Sequence, residues 1–189
     1  MKTAWGKPVH IIPFCRTLLI VLAVSVCSVA AEDVEALRKK AEAGDVTAQY
    51  NLGLMYNRGQ RVPQDYVEAF KWYRMAAEAG DADAQYNLGV AYDDGEGVPE
   101  DDAEAVKWYS KAAEQGYPQA QYNLGTMYFR GNGVPEDDVV AYAWFSVAAA
   151  SGNDGGRENR DDIKRDLTPS QLEKGQAMAR EIFERIEKR

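Results

Sequence analysis

The hexapeptide Ala-Gln-Tyr-Asn-Leu-Gly occurs three times, at 48–53, 84–89 and 120–125, in steps of 36 residues. A period in this range is typical of a solenoid, in which each unit is one supersecondary element stacked on the next. One such unit buries too little apolar surface to offset the ordering of its chain, which costs about 1.5 kcal/mol per residue, so the copies should share a core. Aligned on the hexapeptide, the units are 41–76, 77–112 and 113–148, and the first two agree at 22 of 36 positions.

Each unit predicts two helices joined by a short loop that contains Val-Pro. A glycine before the first helix suits a helix terminator with positive φ, an aspartate then caps the helix, and glycine follows its end. In the third unit Pro118 stands at the first helical position. Glu68 and Glu104 follow their capping aspartates by three residues, which predicts capping boxes, whereas Val140 replaces them in the third unit. The predicted terminators and caps are Gly44, Gly80, Gly116, Asp45, Asp81, Gly59, Gly95, Gly131, Asp65, Asp101 and Asp137.

The second helix of each unit carries alanine and aromatic residues at spacings of three, four and seven. These spacings place them on one stripe of the helix, which predicts the face that packs in the core. The alternation of small and large side chains allows neighbouring helices to approach closely. The stripe residues are Ala69, Trp72, Tyr73, Ala76, Ala105, Trp108, Tyr109, Ala112, Ala141, Trp144, Phe145 and Ala148.

Both ends of the array predict capping helices, over 32–44 and 149–189. The first resembles a second helix without its partner, and it should cover the first unit. In the C-terminal segment Gly155 and Gly156 weaken a polar helix, and Thr168 begins another as its N-cap. The final helix should pack on the last unit through Leu172, Ala179, Ile182, Phe183 and Ile186.

Residues 1–31 have the layout of a secretory signal peptide, with basic residues up to Arg16, an apolar run over 17–30 and small residues at its end. The apolar run has 14 residues, whereas a membrane-spanning helix needs about 20. We expect cleavage after Ala30 or Ala31 and a periplasmic or secreted protein that does not contact the membrane after cleavage. A retained N-terminal anchor is the alternative.

Charge and composition exclude several function classes. The chain has a net charge of −8, and residues 32–189 carry 19 basic and 30 acidic residues, a net of −11. Binding to phosphate needs lysine and arginine, so this charge argues against a nucleic-acid partner and is compatible with a basic one. Cys15, Cys27 and His10 all lie before residue 32. The remaining chain therefore lacks the side chains for cysteine or histidine catalysis and for imidazole-based zinc sites, and we expect no cofactor and no metal.

The pattern AQYNLGxxYxxGxxVPxD…AxxWYxxAA, which covers about 41–150, resembles the Sel-1-like repeat family, a relative of the tetratricopeptide repeat. The resemblance implies an all-α fold, a right-handed α/α superhelix whose first helices line its concave side. It also implies a non-enzymatic scaffold or adaptor in protein–protein contacts, often among secreted or envelope proteins. Some members are described as β-lactamase-like or wall-binding and are cysteine-rich, and the absence of cysteine from these repeats departs from that subgroup.

We name the residues of the first helices that should face a protein or peptide partner the first-helix stripe. Most of its positions vary between the three units, and a tyrosine lies on the same face at helical spacing. An aromatic series on a wall of mixed charge suits an extended peptide or a partner helix. The tyrosines could instead pack between adjacent first helices. The stripe comprises Thr47, Tyr50, Leu54, Asn57, Arg58, Asp83, Tyr86, Val90, Asp93, Asp94, Gln119, Tyr122, Thr126, Phe129 and Arg130.

Three further alternatives stay open at the level of sequence. Asn51, Asn87 and Asn123 could bind the backbone of a ligand or tie the scaffold together. The acidic stretch 93–104 could cap helices, dock a basic partner or bind a divalent ion, although its glycines interrupt an EF-hand ligand pattern. The leading hypothesis for function is an exported interaction module that regulates an envelope partner. A hydrolase acting on the cell wall or on a β-lactam, and a purely architectural protein that self-associates through its ends, are the alternatives.

Overall fold

The computed structural model describes residues 33–188, and they form nine helices without a strand. The predicted leader lies outside the described residues. None of the nine helices is both long enough and apolar enough to cross a membrane. The helices are α1 (33–42), α2 (Val46–Arg58), α3 (Tyr66–Glu78), α4 (Ala82–Asp94), α5 (Asp102–Glu114), α6 (Pro118–Arg130), α7 (Asp138–Ala150), α8 (Asp154–Ile163) and α9 (Pro169–Glu187).

The predicted caps set the helix boundaries. The carboxylate of Asp45 accepts a hydrogen bond from the Ala48 N–H at 2.9 Å, and Asp81 caps α4 in the same way. The glycines at 44, 80 and 116 have φ between 87° and 102°, which side chains with a Cβ rarely adopt. The first helices end at left-handed glycines, as predicted. These caps recur every 36 residues, so the helix pairs recur with them.

The predicted capping boxes of α3 and α5 form only in part. Asp65 accepts from the Glu68 N–H at 3.0 Å, but the carboxylate of Glu68 pairs with Lys71 one turn further on instead of returning to the cap. The full reciprocal box occurs in α9, between Thr168 and Gln171. A nearby lysine therefore competes with the box for the glutamate.

The predicted stripe of the second helices is the core. All twelve of its residues are buried, with at most 9 % of their surface exposed. The clusters cross unit boundaries, because Trp108 of the second pair packs with Ala69 and Tyr73 of the first. Trp144 of the third pair likewise joins the cluster around Tyr109. The three helix pairs therefore share contacts and do not fold as separate lobes.

The glycine of the repeated hexapeptide is required by close packing. A Cβ on Gly53 would lie 2.6 Å from Cδ1 of the Tyr73 ring, closer than such atoms can approach. The first helix of each pair thus lies directly against the aromatic ring of the second helix. The same relation holds between Gly89 and Tyr109 and between Gly125 and Phe145, at 2.6 and 2.8 Å.

The glutamine of the hexapeptide ties each first helix to the helix before it. The buried side-chain amide of Gln49 donates to the Ala41 carbonyl at 3.0 Å. Gln85 and Gln121 make the equivalent bond to the carbonyl oxygens eight residues earlier. Helix α1 thus takes the position that the second helix of a preceding pair would occupy. Its fully buried Ala41 packs in the core of the first pair.

Helix α8 takes the place of a fourth first helix. It begins 36 residues after α6, and Asn153 caps it by accepting from the Gly156 N–H at 2.8 Å. A Cβ on Gly156 would lie 2.8 Å from the Cβ of Ala148, and one on Gly155 would lie 3.1 Å from the Tyr122 ring. The two glycines, which sequence analysis took to weaken the helix, allow it to approach the third pair closely.

Helix α9 packs along α7 and reaches the end of α5. Gly175 lies under the ring of Tyr142, and Ile186 lies beside Gly116. Ile182 is buried, but Phe183, predicted on the same face, is 36 % exposed. Phe183 instead lines a groove of about 340 Å³ between α7 and α9. The prediction for Phe183 is wrong because the buried face of α9 is narrower than its apolar pattern.

The sequence of α7 explains why α9 packs there and not on an earlier pair. Ala143 lies in the core cluster that includes Ile182. The corresponding positions in α3 and α5 are Lys71 and Lys107, which are exposed. Burying either lysine under an apolar helix would take its charge, and the ion pair that it forms with Glu68 or Glu104, out of water.

Candidate functional site

The structure leaves every residue of the first-helix stripe accessible to solvent. None of its fifteen residues is buried, whereas the alanine, glutamine, leucine and glycine of the hexapeptide are buried in all three units. Four shared positions of the hexapeptide thus form the buried scaffold, and the varying positions of the stripe are accessible, whereas the varying position of Ala91 and Met127 is buried. The most exposed members are Thr47, Arg58, Asp83, Asp94, Gln119, Phe129 and Arg130.

The tyrosines of the stripe are half-buried and pack on the second helix of their own pair. The Tyr50 ring lies 6.1 Å from that of Tyr73, and Tyr86 lies 6.0 Å from Tyr109. Two of them also contact the next first helix along the array, since the Tyr86 ring stacks on Tyr117 at the start of α6 and the Tyr122 ring lies beside Gly155 of α8. The alternative of packing between adjacent first helices therefore describes part of their contacts. Each tyrosine has a structural role and still presents part of its surface.

An aromatic pair joins the second and third units. The rings of Tyr86 and Tyr117 stack with centroids 4.9 Å apart and an interplanar angle of 28°. Burial, followed by the neighbouring Asp83 carboxylate, raises the pKa of Tyr117 to about 12. The Tyr117 hydroxyl is therefore neutral at physiological pH. Tyr117 stands where Asp45 and Asp81 cap the earlier first helices, and it makes no side-chain cap there.

Asp93 is a half-buried carboxylate at the C-terminal end of α4. Its Oδ2 accepts a hydrogen bond from the Tyr109 hydroxyl at 3.0 Å. Burial raises the pKa of Asp93, and the Asp94 charge adds to this, while the bond from Tyr109 opposes it. The corresponding Tyr73 hydroxyl is buried without a partner among the described residues.

Phe129 forms the wall of a small cavity at the end of the stripe. Its side chain is 47 % exposed. The cavity has about 150 Å³ and lies between α6, α7 and α8. An apolar side chain of a partner could enter it. Its lining residues are Phe129, Phe145, Asn159, Asp162, Ile163 and Asp166.

The asparagines of the hexapeptide are partly accessible, and two have partners in the scaffold, since Asn123 forms a side-chain hydrogen bond with Tyr109. The Asn87 amide donates to the Asp83 carbonyl of its own helix at 2.8 Å. Asn51 is exposed. The structure supports the scaffold interpretation for Asn87.

The acidic stretch 93–104 contributes caps. The Asp101 carboxylate accepts from the Glu104 N–H at 3.0 Å, at the start of α5. Among residues 33–188 no three acidic side chains converge in a way that could hold a metal ion.

Sequence analysis missed the polar contacts behind the stripe. Gln85 is 5 % exposed, and its side-chain oxygen accepts from the Gln115 amide at 2.7 Å. The corresponding oxygens of Gln49 and Gln121 are buried without a partner in the described part of the chain. The sequence did carry one signal of these contacts, because glutamine occurs at the same position in all three copies. A residue that only faced solvent would have no reason to be the same in each copy.

Comparison with known proteins agrees with this architecture. The Sel1 repeat model matches residues 46–81, 82–117 and 118–153, with the predicted period in a frame five residues later than the hexapeptide alignment. Repeats of this family typically mediate protein–protein interaction. No curated protein matches the chain significantly.

Two solved structures share the fold at appreciable sequence identity. A Sel1 repeat protein from Oxalobacter formigenes is 42% identical over 69% of this chain and 98% of its own, with a TM-score of 0.63. A protective antigen of uropathogenic Escherichia coli with an SLR fold is 32% identical over 81% of this chain, with a TM-score of 0.64. The match covers 41% of that antigen's length.

A more distant structure shows the fold only. It is cysteine rich protein B of Helicobacter pylori, at 20% identity, a TM-score of 0.55 and coverage of 70% of this chain and 96% of that one. These likenesses confirm the predicted all-α helical repeat solenoid. Because three consecutive repeats match over more than half of its length, the chain belongs to the Sel1 repeat family.

Proposed function

We propose that this chain is an exported, non-enzymatic interaction module that binds a protein or peptide partner along its first-helix stripe, as a scaffold or adaptor for an envelope protein. The observation that carries the proposal is that the stripe residues of α2, α4 and α6, most of which vary between units, are accessible, whereas the alanine, glutamine, leucine and glycine shared by all three units are buried. Varying residues on a rigid frame can provide specificity without altering the fold.

The exposed aromatic residue at the end of the stripe supports a protein partner. Phe129 is 47 % exposed beside a cavity that is open to an apolar side chain. Binding energy in protein interfaces is concentrated in a few aromatic and arginine residues at such pockets. Arg130 follows Phe129 directly and is exposed as well.

Crosslinking and co-purification from the native host would test the stripe. We expect Phe129→Ala to lower recovery of the crosslinked partner, because it removes an exposed ring that belongs to no buried core cluster. Val67→Ala is the matched control, since Val67 is 50 % exposed on the second helix α3. Equal recovery with both variants would show that the partner does not use the stripe.

Export rests on the leader-like segment 1–31. Mass spectrometry of the protein from the cell envelope should give a chain that begins near residue 31 or 32. A chain that still begins at Met1 would contradict cleavage.

A further inference from the structure

The three first helices differ in charge at one position near their C-terminal ends. The last residue before the terminating glycine is Arg58 in α2 and Arg130 in α6, but Asp94 in α4. Exposed carbonyl groups give a helix C-terminus a partial negative charge, which arginine complements and aspartate does not. Asp94 therefore opposes the local electrostatics of its own helix, whereas the arginines at the same position agree with them.

The middle repeat also concentrates the negative charge of the array. Residues 82–117 contain nine acidic residues and two lysines, a net of −7, whereas residues 46–81 are neutral and residues 118–153 have a net of −2. Within the described residues the ion pairs of this repeat join Lys107 to Glu104 and Arg185 to Glu114. The carboxylates on the exposed side of α4 thus have no cationic partner in the described chain.

An aromatic surface lies beside these carboxylates. Tyr86 is on α4, two turns before Asp93 and Asp94, and its ring stacks on Tyr117. Burial and then the Asp94 and Asp93 charges raise the pKa of Tyr86, as expected for a hydroxyl that lies near both carboxylates. The half-buried Asp93 is held in place by Tyr109. The Tyr86 ring lies between Tyr117 and Tyr109, so a cationic side chain would meet its hydroxyl edge together with the two carboxylates. Charge-assisted hydrogen bonds to these oxygens suit a guanidinium or ammonium group.

We propose that the middle repeat binds a cationic side chain, arginine or lysine, of the partner segment between the Tyr86–Tyr117 pair and the Asp93 and Asp94 carboxylates at the C-terminal end of α4. The proposal rests on the proposed function and adds the chemistry of the partner. The bound cation supplies the positive charge that Arg58 and Arg130 supply in the flanking repeats. A residue that disfavours its own helix while favouring a ligand is typical of a functional site.

The decisive variant is Asp94→Arg, which gives α4 the residue that its two neighbours carry. It should fold, because α2 and α6 tolerate arginine at the same position. Glu181→Arg on α9 is the matched control, since it makes the same change in net charge at an exposed position away from α4. The probes are three short fluorescent peptides that alternate leucine with arginine, with serine or with glutamate, and anisotropy gives their affinities.

The arginine peptide should bind more tightly than the other two, and its affinity should fall as salt is added. Asp94→Arg should weaken its binding about tenfold, and Glu181→Arg by less than about twofold. Thermal unfolding should show a higher midpoint for Asp94→Arg, because arginine suits the helix end. The same change thus raises stability and lowers binding, a combination that a purely structural role does not produce.

Other results would overturn the inference in separable ways. Equal weakening by the two charge variants would mean only general attraction to an acidic protein. An unchanged or lower midpoint for Asp94→Arg would remove the premise that Asp94 disfavours the helix. Equal binding of all three peptides, or binding of none, would exclude the cation site. The proposed function fails only if Phe129→Ala also leaves the crosslinked partner unchanged.

Discussion

The first two repeats share their core residues and their pair of helices, yet they differ in how their buried polar groups are paired. In the second repeat the Tyr109 hydroxyl donates to Asp93, while the Tyr73 hydroxyl of the first repeat is buried without a partner among the described residues. Gln85 receives a bond from Gln115, while the same oxygen of Gln49 has none there. Shared residues thus specify the fold, and the residues that differ determine polar pairing and surface charge.

The largest effect should come from breaking the shared contact. Gly53→Ala places a Cβ 2.6 Å from the Tyr73 ring, so we expect a loss of about 2 kcal/mol in the free energy of unfolding. Helix propensity favours alanine over glycine by about 1 kcal/mol, so a net loss identifies the clash. Urea denaturation measures it. The loss should shrink when Tyr73→Leu is added, and a strictly additive double variant would contradict this explanation.

The next effect sharpens the difference between the two tyrosines. Tyr109→Phe should cost about 1.5 kcal/mol, because the half-buried Asp93 carboxylate loses its donor. Tyr73→Phe should be neutral or stabilising, because it removes a hydroxyl with no described partner. The two variants make the same chemical change at equivalent sites, so each is a control for the other. Equal losses in chemical denaturation would contradict the predicted difference.

The hydrogen bond from Gln115 to Gln85 should contribute less to stability, and the same bond can be introduced into the first repeat. Gln115→Ala should cost about 1 kcal/mol, because the buried Gln85 oxygen loses its donor. Ala79 occupies the corresponding position in the first repeat, and Ala79→Gln should gain a few tenths of a kcal/mol up to about 1 by donating to Gln49. Thermal unfolding compares the two. A loss on introducing glutamine at 79 would show that the contact cannot be transferred.

The smallest effect concerns the pH dependence of Asp93. Its pKa is raised in the folded protein, so its ionised form is disfavoured there relative to the unfolded chain. Its contribution to stability is therefore present at low pH and is lost as pH rises from the unfolded pKa through the folded one. The free energy of unfolding of Asp93→Asn, relative to that of the unaltered protein, should therefore be higher above this pH range than below it. Unfolding measured from acidic to neutral pH would show this difference, and a constant difference would contradict the raised pKa.

Local signals made most of the fold predictable. The cap at Asp45 and the terminator at Gly59 act within one helical turn of themselves, so single residues identify the helix ends. The 36-residue repetition then fixed the pairing of helices, because equivalent segments must stack equivalently. The half-formed capping box at Glu68 shows the limit of this approach, since a lysine on the next turn changed its partner.

Contacts that depend on how helices face each other were not predictable. The bond from Tyr109 to Asp93 joins two helices of one pair, and no local pattern requires it. Phe183 lies on the apolar side of α9, yet the rotation of that helix on α7 leaves it partly exposed. The stripe was identified by its variation between units, and the structure shows it to be accessible. That the stripe residues of α2, α4 and α6 act together on one partner stays a prediction.

The glutamine ties make the units interchangeable modules. Removing residues 82–117 would bring Gln121 to the Ala77 carbonyl, which is the acceptor that Gln85 uses now. Glu78 and Gly80 would then stand where Glu114 and Gly116 meet Arg185 and Ile186 of α9. The glutamine tie and these contacts with α9 would therefore form again after the loss or gain of a whole unit, so we expect the acidic middle to be deletable or duplicable as one piece.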